Sequence, residues 1–378
     1  MPLPTEEQTI LREMAHNWAQ RDCPVKSFRD LRDSGNADGF DADTFNTIAQ
    51  MGWTGAIIPE SYGGSDVGFA SMGAVLEELG RTLVAAPLIG SAIGAASALL
   101  LGGTEEQKST WLPRIASGET VAALAIDETT RFAPQNIRCG AIAQGGDYVL
   151  NGRKTLVHEG GVADLLIVAA RTSGNASDDS GITVFVVSGN ATGLGRSQRK
   201  LIDSRGYADI TFDNVTVGAG AVLGSVDAGR AIMDAVLDRA AAAAAAEAFG
   251  LALQAFDTTL DYLKTRTQFG QVIGTFQALQ HRMAKMFTDI QLARPCLETA
   301  LNALDQNDPH TPAAVSLAKA KVNQLVHSIS REMIQLHGGI GMTDAHDAGF
   351  YLKRARVLES AYGTTGYHED RYARVSGI

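Results

Sequence analysis

The sequence predicts an α+β chain in three successive parts: helical, then β, then helical. Three observations carry this. Up to about residue 118, apolar residues recur every three or four positions. From 119 to 225 the pattern shortens to strand-length runs rich in Val, Ile and Thr, separated by Gly, Asn and Asp. From 226 to 378 long helical patterns return, the first running from Arg230 to Thr265 without proline and with one internal glycine, Gly250. The expected domains are therefore 1–118, 119–225 and 226–378.

In the first part, TEEQTILREMAHNWA places Leu11, Met14 and Trp18 on one face, with Thr5 as cap and glutamates in the first turn. DADTFNTIAQMGW repeats the pattern, IPESYGGSD reads as a loop, and MGAVLEELGRTL as a helix. The apolar stretch 88–103 is short and rich in small residues, and reads as a buried helix. TEEQKSTWLPRIASG is a helix ending near Gly118.

In the second part, VAALAIDE, GAIAQ, DYVLNG, ADLLIVAAR, GITVFVVSG and ADITFDNVTV read as strands of an antiparallel unit, with a polar loop at 172–181. In the third, VIGTFQALQHRMAKMFTDIQLA is a helix that Pro295 kinks or ends. The next starts near Thr311, with Pro312 in its first turn, and closes at Gly338 and Gly339.

Composition narrows the function. Among 378 residues, 45% are hydrophobic and 20% charged, as in ordinary globular proteins, and the net charge is −10. That balance argues against nucleic acid, whose phosphates need clustered Lys and Arg. Cys23, Cys139 and Cys296 are scattered and odd in number, which speaks against a disulfide framework or a zinc site and fits a cytoplasmic location. The N-terminus lacks the basic start and apolar core of a signal peptide. No apolar run approaches the roughly 20 residues that span a bilayer. Neither a membrane nor a metal is expected.

Taken singly, the motifs are ordinary. Arg266 in RTQFG suits a helix C-terminus for local electrostatic reasons, and the glycines of QLHGGIGMT can simply stop a helix. His158, His281 and His337 read as packing or hydrogen-bonding residues. There is no GxSxG, Walker loop or strand-linked GxGxxG.

In combination the fragments say more. IPESYGG, LEELGRTL, GTEEQKSTWLPRIASGE, YVLNGRK, RTQFGQVIGTFQALQHRMAKM and QLHGGIGMT resemble the acyl-CoA dehydrogenase family, in the family's order, from about residue 5 to about 375. The resemblance implies an N-terminal helical domain, a middle antiparallel β domain and a C-terminal four-helix bundle. It implies FAD, an acyl-CoA substrate oxidised to the trans-2-enoyl-CoA, and electron-transfer flavoprotein as acceptor. A carboxylate with a raised pKa must remove the α-proton in a water-poor pocket, while the β-hydrogen leaves as hydride to the flavin.

The same resemblance assigns residues. Arg266, Gln268 and Phe269 would meet the pyrophosphate and adenine of a neighbouring subunit's FAD, with Gln277, Gln335, Gly338 and Gly339 on the same side and Thr364 as a further cofactor contact. Other positions depart. AIDETTRFAPQNIR lacks the usual Gly-Ser-Asp against the isoalloxazine, and Leu156-Val157-His158 stands where Trp-x-Thr is usual. Tyr362 occupies the position of the common catalytic Glu. The alternative Glu position on the first bundle helix is Ala240, and the Arg beside it is Ala241.

A base is still required. Glu247 lies on one helical face with Ala240 and Ala244, at i, i+4, i+7, but about 10 Å from Ala240 along the axis. It is the leading candidate, against an ordinary packing role, with Asp238 and Glu359 as competitors. Arg239, Ala240 and Ala244 are the expected substrate-side residues. The alanine run would suit a wide acyl group such as a sterol side chain, although alanine is also the best helix former. Losing the flavin-ring side while keeping the adenine side resembles one partner of the heteromeric acyl-CoA dehydrogenases, such as the pimeloyl-CoA dehydrogenase small subunit and the steroid side-chain enzymes. A homo- or hetero-oligomer is expected, with a catalytic subunit and a structural subunit that completes a paralogue's FAD site both open.

Overall fold

The computed structural model describes residues 5–378. Its first helices are α1 (Glu6–Asp22), α2 (Val25–Ser34), α3 (Ala42–Gln50) and α4 (Gly68–Arg81); a π-helical run, Leu88–Ala95, then leads into α5 (Ala96–Gly102) and α6 (Glu105–Ala116). Eight strands follow: β1 (Ala122–Ala125), β2 (Gly140–Gln144), β3 (Asp147–His158), β4 (Leu165–Arg171), β5 (Ile182–Ser188), β6 (Leu194–Lys200), β7 (Gly206–Val217) and β8 (Val222–Leu223). The long helix α7 (Gly229–Thr265) precedes a small hairpin, β9 (Thr267–Gln268) and β10 (Gln271–Val272). The chain ends in α8 (Gln277–Asp305), α9 (Thr311–His337), α10 (Ala348–Ser360) and α11 (Thr365–Val375). No helix among the described residues is long and apolar enough to cross a membrane.

The local starts follow the sequence. Thr5 accepts a hydrogen bond from the Gln8 N–H while the Gln8 side chain returns to the Thr5 N–H, and Thr104 and Gln107 form the same box at α6. Pro295 neither ends nor interrupts α8, which continues to Asp305. One lost N–H is outweighed there by the buried face of Ile290, Ala293, Leu297, Ala300 and Leu301.

The chain divides into two compact units. One comprises Met1–Asp30, Phe69–Val84 and Ala241–Ile378; the other comprises Leu31–Gly68 and Ala85–Ala240. These boundaries cut across the three sequence segments, because apolar periodicity marks a buried face without saying what covers it.

The second unit is built on a sheet in the order β6-β7-β3-β2-β4-β5-β8. Leu150, Val168, Phe185, Ile210 and Phe212 form its core. The sheet is mixed and not wholly antiparallel, since β1 pairs in parallel with β4, Ala122 opposite Leu165. The hairpin β2–β3 lies between them in sequence and provides the long crossover that a parallel pair needs. The β3–β7 ladder slips between Lys154 and Val157, and Leu156 there takes φ +52°. Such a bulge re-aims the side chains that follow it.

The first unit is organised around α7 from Ala241 onward. Every residue from Ala240 to Leu253 is buried, so this stretch is apolar all round because it is surrounded. A Cβ on Gly80 of α4 would overlap the main chain of Glu247, and one on Gly250 would overlap the main chain of Glu77. The two backbones touch, and only glycine fits at either point.

Gly250→Ala should therefore destabilise the protein, although alanine is worth about 1 kcal/mol more than glycine inside a helix. Overpacking costs about 1–3 kcal/mol and should win. Urea melts should show a lowered midpoint for Gly250→Ala and an unchanged or raised one for Gly349→Ala in α10, where no atom stands near the added Cβ. A raised midpoint for Gly250→Ala would mean that α4 and α7 are not in backbone contact.

Candidate active site

In the first unit, α7 runs out into Arg266 and the β9–β10 hairpin. Gln268 pairs with Gln271 across a two-residue turn whose central residues, Phe269 and Gly270, have φ +51° and +79°. This is the turn geometry favoured by Asn-Gly or Gly-Gly, so phenylalanine is strained there by about 1 kcal/mol or more. The strain brings no burial in return, because Phe269 is 90% exposed. Arg266 and Gln277 are exposed as well, and the Gln268 amide bonds only to the Thr267 carbonyl, at 2.8 Å.

The end of α9 meets the end of α7 through aromatic rings. His337 stacks on Tyr262 at 4.4 Å and lies 4.4 Å from His346. Its Nδ1–H donates to the Met333 carbonyl at 2.7 Å, and burial holds its pKa below the usual histidine range. The Nε2 atom is buried and lacks a hydrogen-bond partner among the described residues. The sequence around His337 suits ordinary packing, and nothing in its spacing signals the stack. Gln335, Gly338 and Gly339 are exposed beside it, and a Cβ at Gly339 would touch nothing. The chain's own packing gives no reason for a glycine at 339. Thr364 is exposed and caps α11, accepting from the Tyr367 N–H at 3.3 Å.

These positions suit an adenosine diphosphate moiety: an exposed aromatic for stacking, a guanidinium for phosphate, exposed amides and a bare glycine turn. The segments expected to meet the isoalloxazine look different. They lie in the second unit, where Glu128 accepts from the N–H groups of Arg138 and Cys139, at 2.8 and 2.9 Å, and from the buried Lys154 at 2.7 Å. Asp127 beside it is half-buried, and its Oδ1 has no donor among the described residues. Burial pushes its pKa up to about 7; Lys154 opposes this and Glu128 adds to it. His158 Nε2 lies 2.9 Å from Glu159 Oε1 and the ring stacks on Tyr207 at 4.5 Å.

Glu247 lies inside the first unit, 5% exposed. Its Oε1 accepts from Arg354 at 3.0 Å, and Arg354 is itself fully buried, over the Phe28 ring and 3.4 Å from the Val84 carbonyl. The carboxylate is thus committed to a structural cation that sequence spacing does not reveal. Ala240 and Ala244 are wholly buried, and Arg239 donates back to the Ala235 carbonyl at 3.0 Å. Asp238 is buried, and Glu359 is bound by Arg356 and His327. Among the described residues no group of His, Cys, Asp and Glu is placed to hold a metal.

Glu247→Gln should leave the Arg354 charge buried without its counter-ion, at a cost of about 3–5 kcal/mol in chemical denaturation. Pairing it with Arg354→Met should recover most of that loss; no recovery would mean the two side chains are not coupled. Asp127 yields a pH test. Its pKa of about 7 lies above the unfolded value of 3.8, so the folded state binds the extra proton between those limits. Stability should fall as pH rises from about 4 to about 7. Asp127→Asn should remove that slope, melting above the wild type at pH 8 and close to it at pH 5. Parallel melting curves at both pH values would mean that Asp127 titrates normally.

Domain models for the acyl-CoA dehydrogenase N-terminal, middle and C-terminal domains match residues 5–119, 126–215 and 227–377. The chain is 32% identical over 367 residues to a probable acyl-CoA dehydrogenase, YngJ, of Bacillus subtilis, covering 96% of this chain and 95% of that one. It is 30% identical over 376 residues to the mitochondrial short/branched chain specific acyl-CoA dehydrogenase of Bos taurus, covering 98% and 85%. Its fold superposes with a TM-score of 0.90, at 25% identity and with 100% and 99% coverage, on a chain of the ChsE4–ChsE5 complex from Mycobacterium tuberculosis. The chain belongs to the acyl-CoA dehydrogenase family, FAD-dependent flavoprotein oxidoreductases.

Proposed function

We propose that this chain is one subunit of a heteromeric acyl-CoA dehydrogenase that oxidises an acyl-CoA thioester to the trans-2-enoyl-CoA, with electron-transfer flavoprotein as acceptor. The observation that carries the reading is the state of the acids. Ala240 and Tyr362 fill the two familiar base positions, and the leading candidate acid on the helix, Glu247, is held by Arg354 at 3.0 Å. Glu247 could serve as base only by leaving that partner. A paralogous subunit that supplies the base removes the difficulty, and the likeness to a chain of a two-component complex supports it.

FAD, when bound, accepts the β-hydrogen as hydride. The part played by this chain is to bind and orient. Arg266 offers its guanidinium to the pyrophosphate, and Phe269 its ring to the adenine. Gln268, Gln277 and Gln335 supply amide donors and acceptors, Gly338 and Gly339 allow close approach, and Thr364 presents the cap of α11. The strain at Phe269 is relieved of its puzzle if the ring is placed for a ligand. A cytoplasmic location completes this reading, with Cys23, Cys139 and Cys296 as free thiols.

The test is purification alone and with a co-expressed paralogue. The pair should carry FAD whose absorbance bleaches with the right acyl-CoA, drawn from a series running from short chains to steroid side-chain thioesters. The chain alone should hold little flavin, and Arg266→Ala should lower flavin content in the pair. Bleaching should survive in the Glu247→Gln/Arg354→Met double variant, which removes both charges of that pair. A lone chain with full FAD and turnover, lost in that double variant, would instead make Glu247 the base of a homo-oligomer.

A further inference from the structure

The link between α10 and α11 is bound by buried side chains to an unusual degree. Tyr362 has φ +55° and Gly363 φ +114°, and a side chain on Gly363 would overlap the His368 ring. A helix ordinarily leaves its last carbonyls to water or to a cap. Here four carbonyls around the link, those of Leu358, Glu359, Tyr362 and Gly363, are taken up by three side chains.

Lys319 of α9 is fully buried. Its ammonium donates to the Leu358 carbonyl at 2.8 Å, the Asn323 Oδ1 at 2.8 Å and the Gly363 carbonyl at 3.5 Å. Asn323, also fully buried, donates through Nδ2 to the Glu359 carbonyl at 3.2 Å and the Gly363 carbonyl at 3.3 Å. From α11, His368 lies with Nε2 2.9 Å from the Tyr362 carbonyl and Nδ1 3.5 Å from Ser316 Oγ, which accepts from Arg371 at 3.1 Å. Burial keeps the imidazole pKa down at about 3, so His368 is neutral and donates through Nε2–H.

An ammonium without a carboxylate partner in the core is costly, and burial presses the Lys319 pKa down to about 7 against the opposing pull of Glu359. What it gains is a set of acceptors at the negative end of α10. Glu359, whose charge favours the ammonium, is itself neutralised by Arg356 and His327. A methionine would fill the same volume without the desolvation cost, so stability alone does not account for the lysine. The strained backbone at Tyr362 points the same way, since strain persists where the surroundings over-determine it.

We propose that Lys319 is a positioning residue, which with Asn323 and His368 locks the 360–364 link so that Tyr362 and Thr364 are held rigidly at the FAD site. The proposal rests on the cofactor reading above, in which Thr364 contacts FAD. Lys319 touches neither substrate nor cofactor and acts only through the link.

The experiment uses the holoprotein, with its partner where one is required, and compares wild type with Lys319→Met. Two readouts are taken: hydrogen exchange of peptides covering 358–366, and the FAD dissociation constant. Loss of a charge-assisted hydrogen bond set should speed exchange in 358–366 by about tenfold or more, with α8 peptides unchanged. FAD should bind several-fold more weakly in the variant. Unchanged exchange in 358–366, or acceleration spread evenly over α8 and α9, would overturn the proposal, as would a loosened link with unaltered FAD affinity. Where Lys319→Met does not fold, Asn323→Leu leaves the ammonium in place and should show the same local effect, smaller in size. A wild-type protein that takes up no FAD with any partner would sink the cofactor reading, and the exchange arm would still decide whether Lys319 locks the link.

Discussion

The backbone contact between α4 and α7 is the constraint on which the first unit depends. Gly80 lies against Glu247 and Gly250 against Glu77, so the two helices approach until main chain meets main chain. Alanines at 241–246 extend that tolerance along α7, since larger side chains would hold its neighbours away. The alanine run is thus explained by packing on every side. A pocket wall would need only one face.

That approach carries acids inward, and arginines answer them. Glu77, 3% exposed, takes Arg12 at 2.7 Å and Arg294 at 3.2 Å. Glu78 takes His16 at 2.9 Å and Arg81 at 3.2 Å, and Glu247 takes Arg354 at 3.0 Å. The aliphatic and planar surfaces of these arginines also pack: Arg294 lies over Phe249 and Arg354 over Phe28. Ion pairs of this kind add little net stability against an apolar alternative but make each partner indispensable to the other. They also tie Glu247 to Arg354, so its availability for chemistry depends on the packing of the whole unit.

The two sets of residues expected to meet FAD, one in each unit, obey different physics. The residues expected to meet adenine are exposed, local and strained: a hairpin of six residues with a phenylalanine in a left-handed turn, and glycines that no described residue fills. Such features are local and can be recognised from short motifs. The segments expected to meet the isoalloxazine form a polar network in which Glu128 accepts from Lys154 and burial raises the Asp127 pKa. Substitutions there propagate through hydrogen bonds, so the absence of Gly-Ser-Asp and Trp-x-Thr from the sequence does not say which contacts stand in their place.

The order of helices and strands, the capping of α1 by Thr5, the extent of α7 and the motifs that mark the family were legible in the residues alone. Each follows from spacing, turn chemistry or short patterns that reside in neighbouring residues. The partners emerged only from the fold: Arg354 for Glu247, 107 positions away, β1 beside β4, and Lys319 under the 358–363 carbonyls. It also carried α8 through Pro295. These outcomes depend on which buried faces cover one another, and a periodicity shows that a face is buried without naming what lies against it.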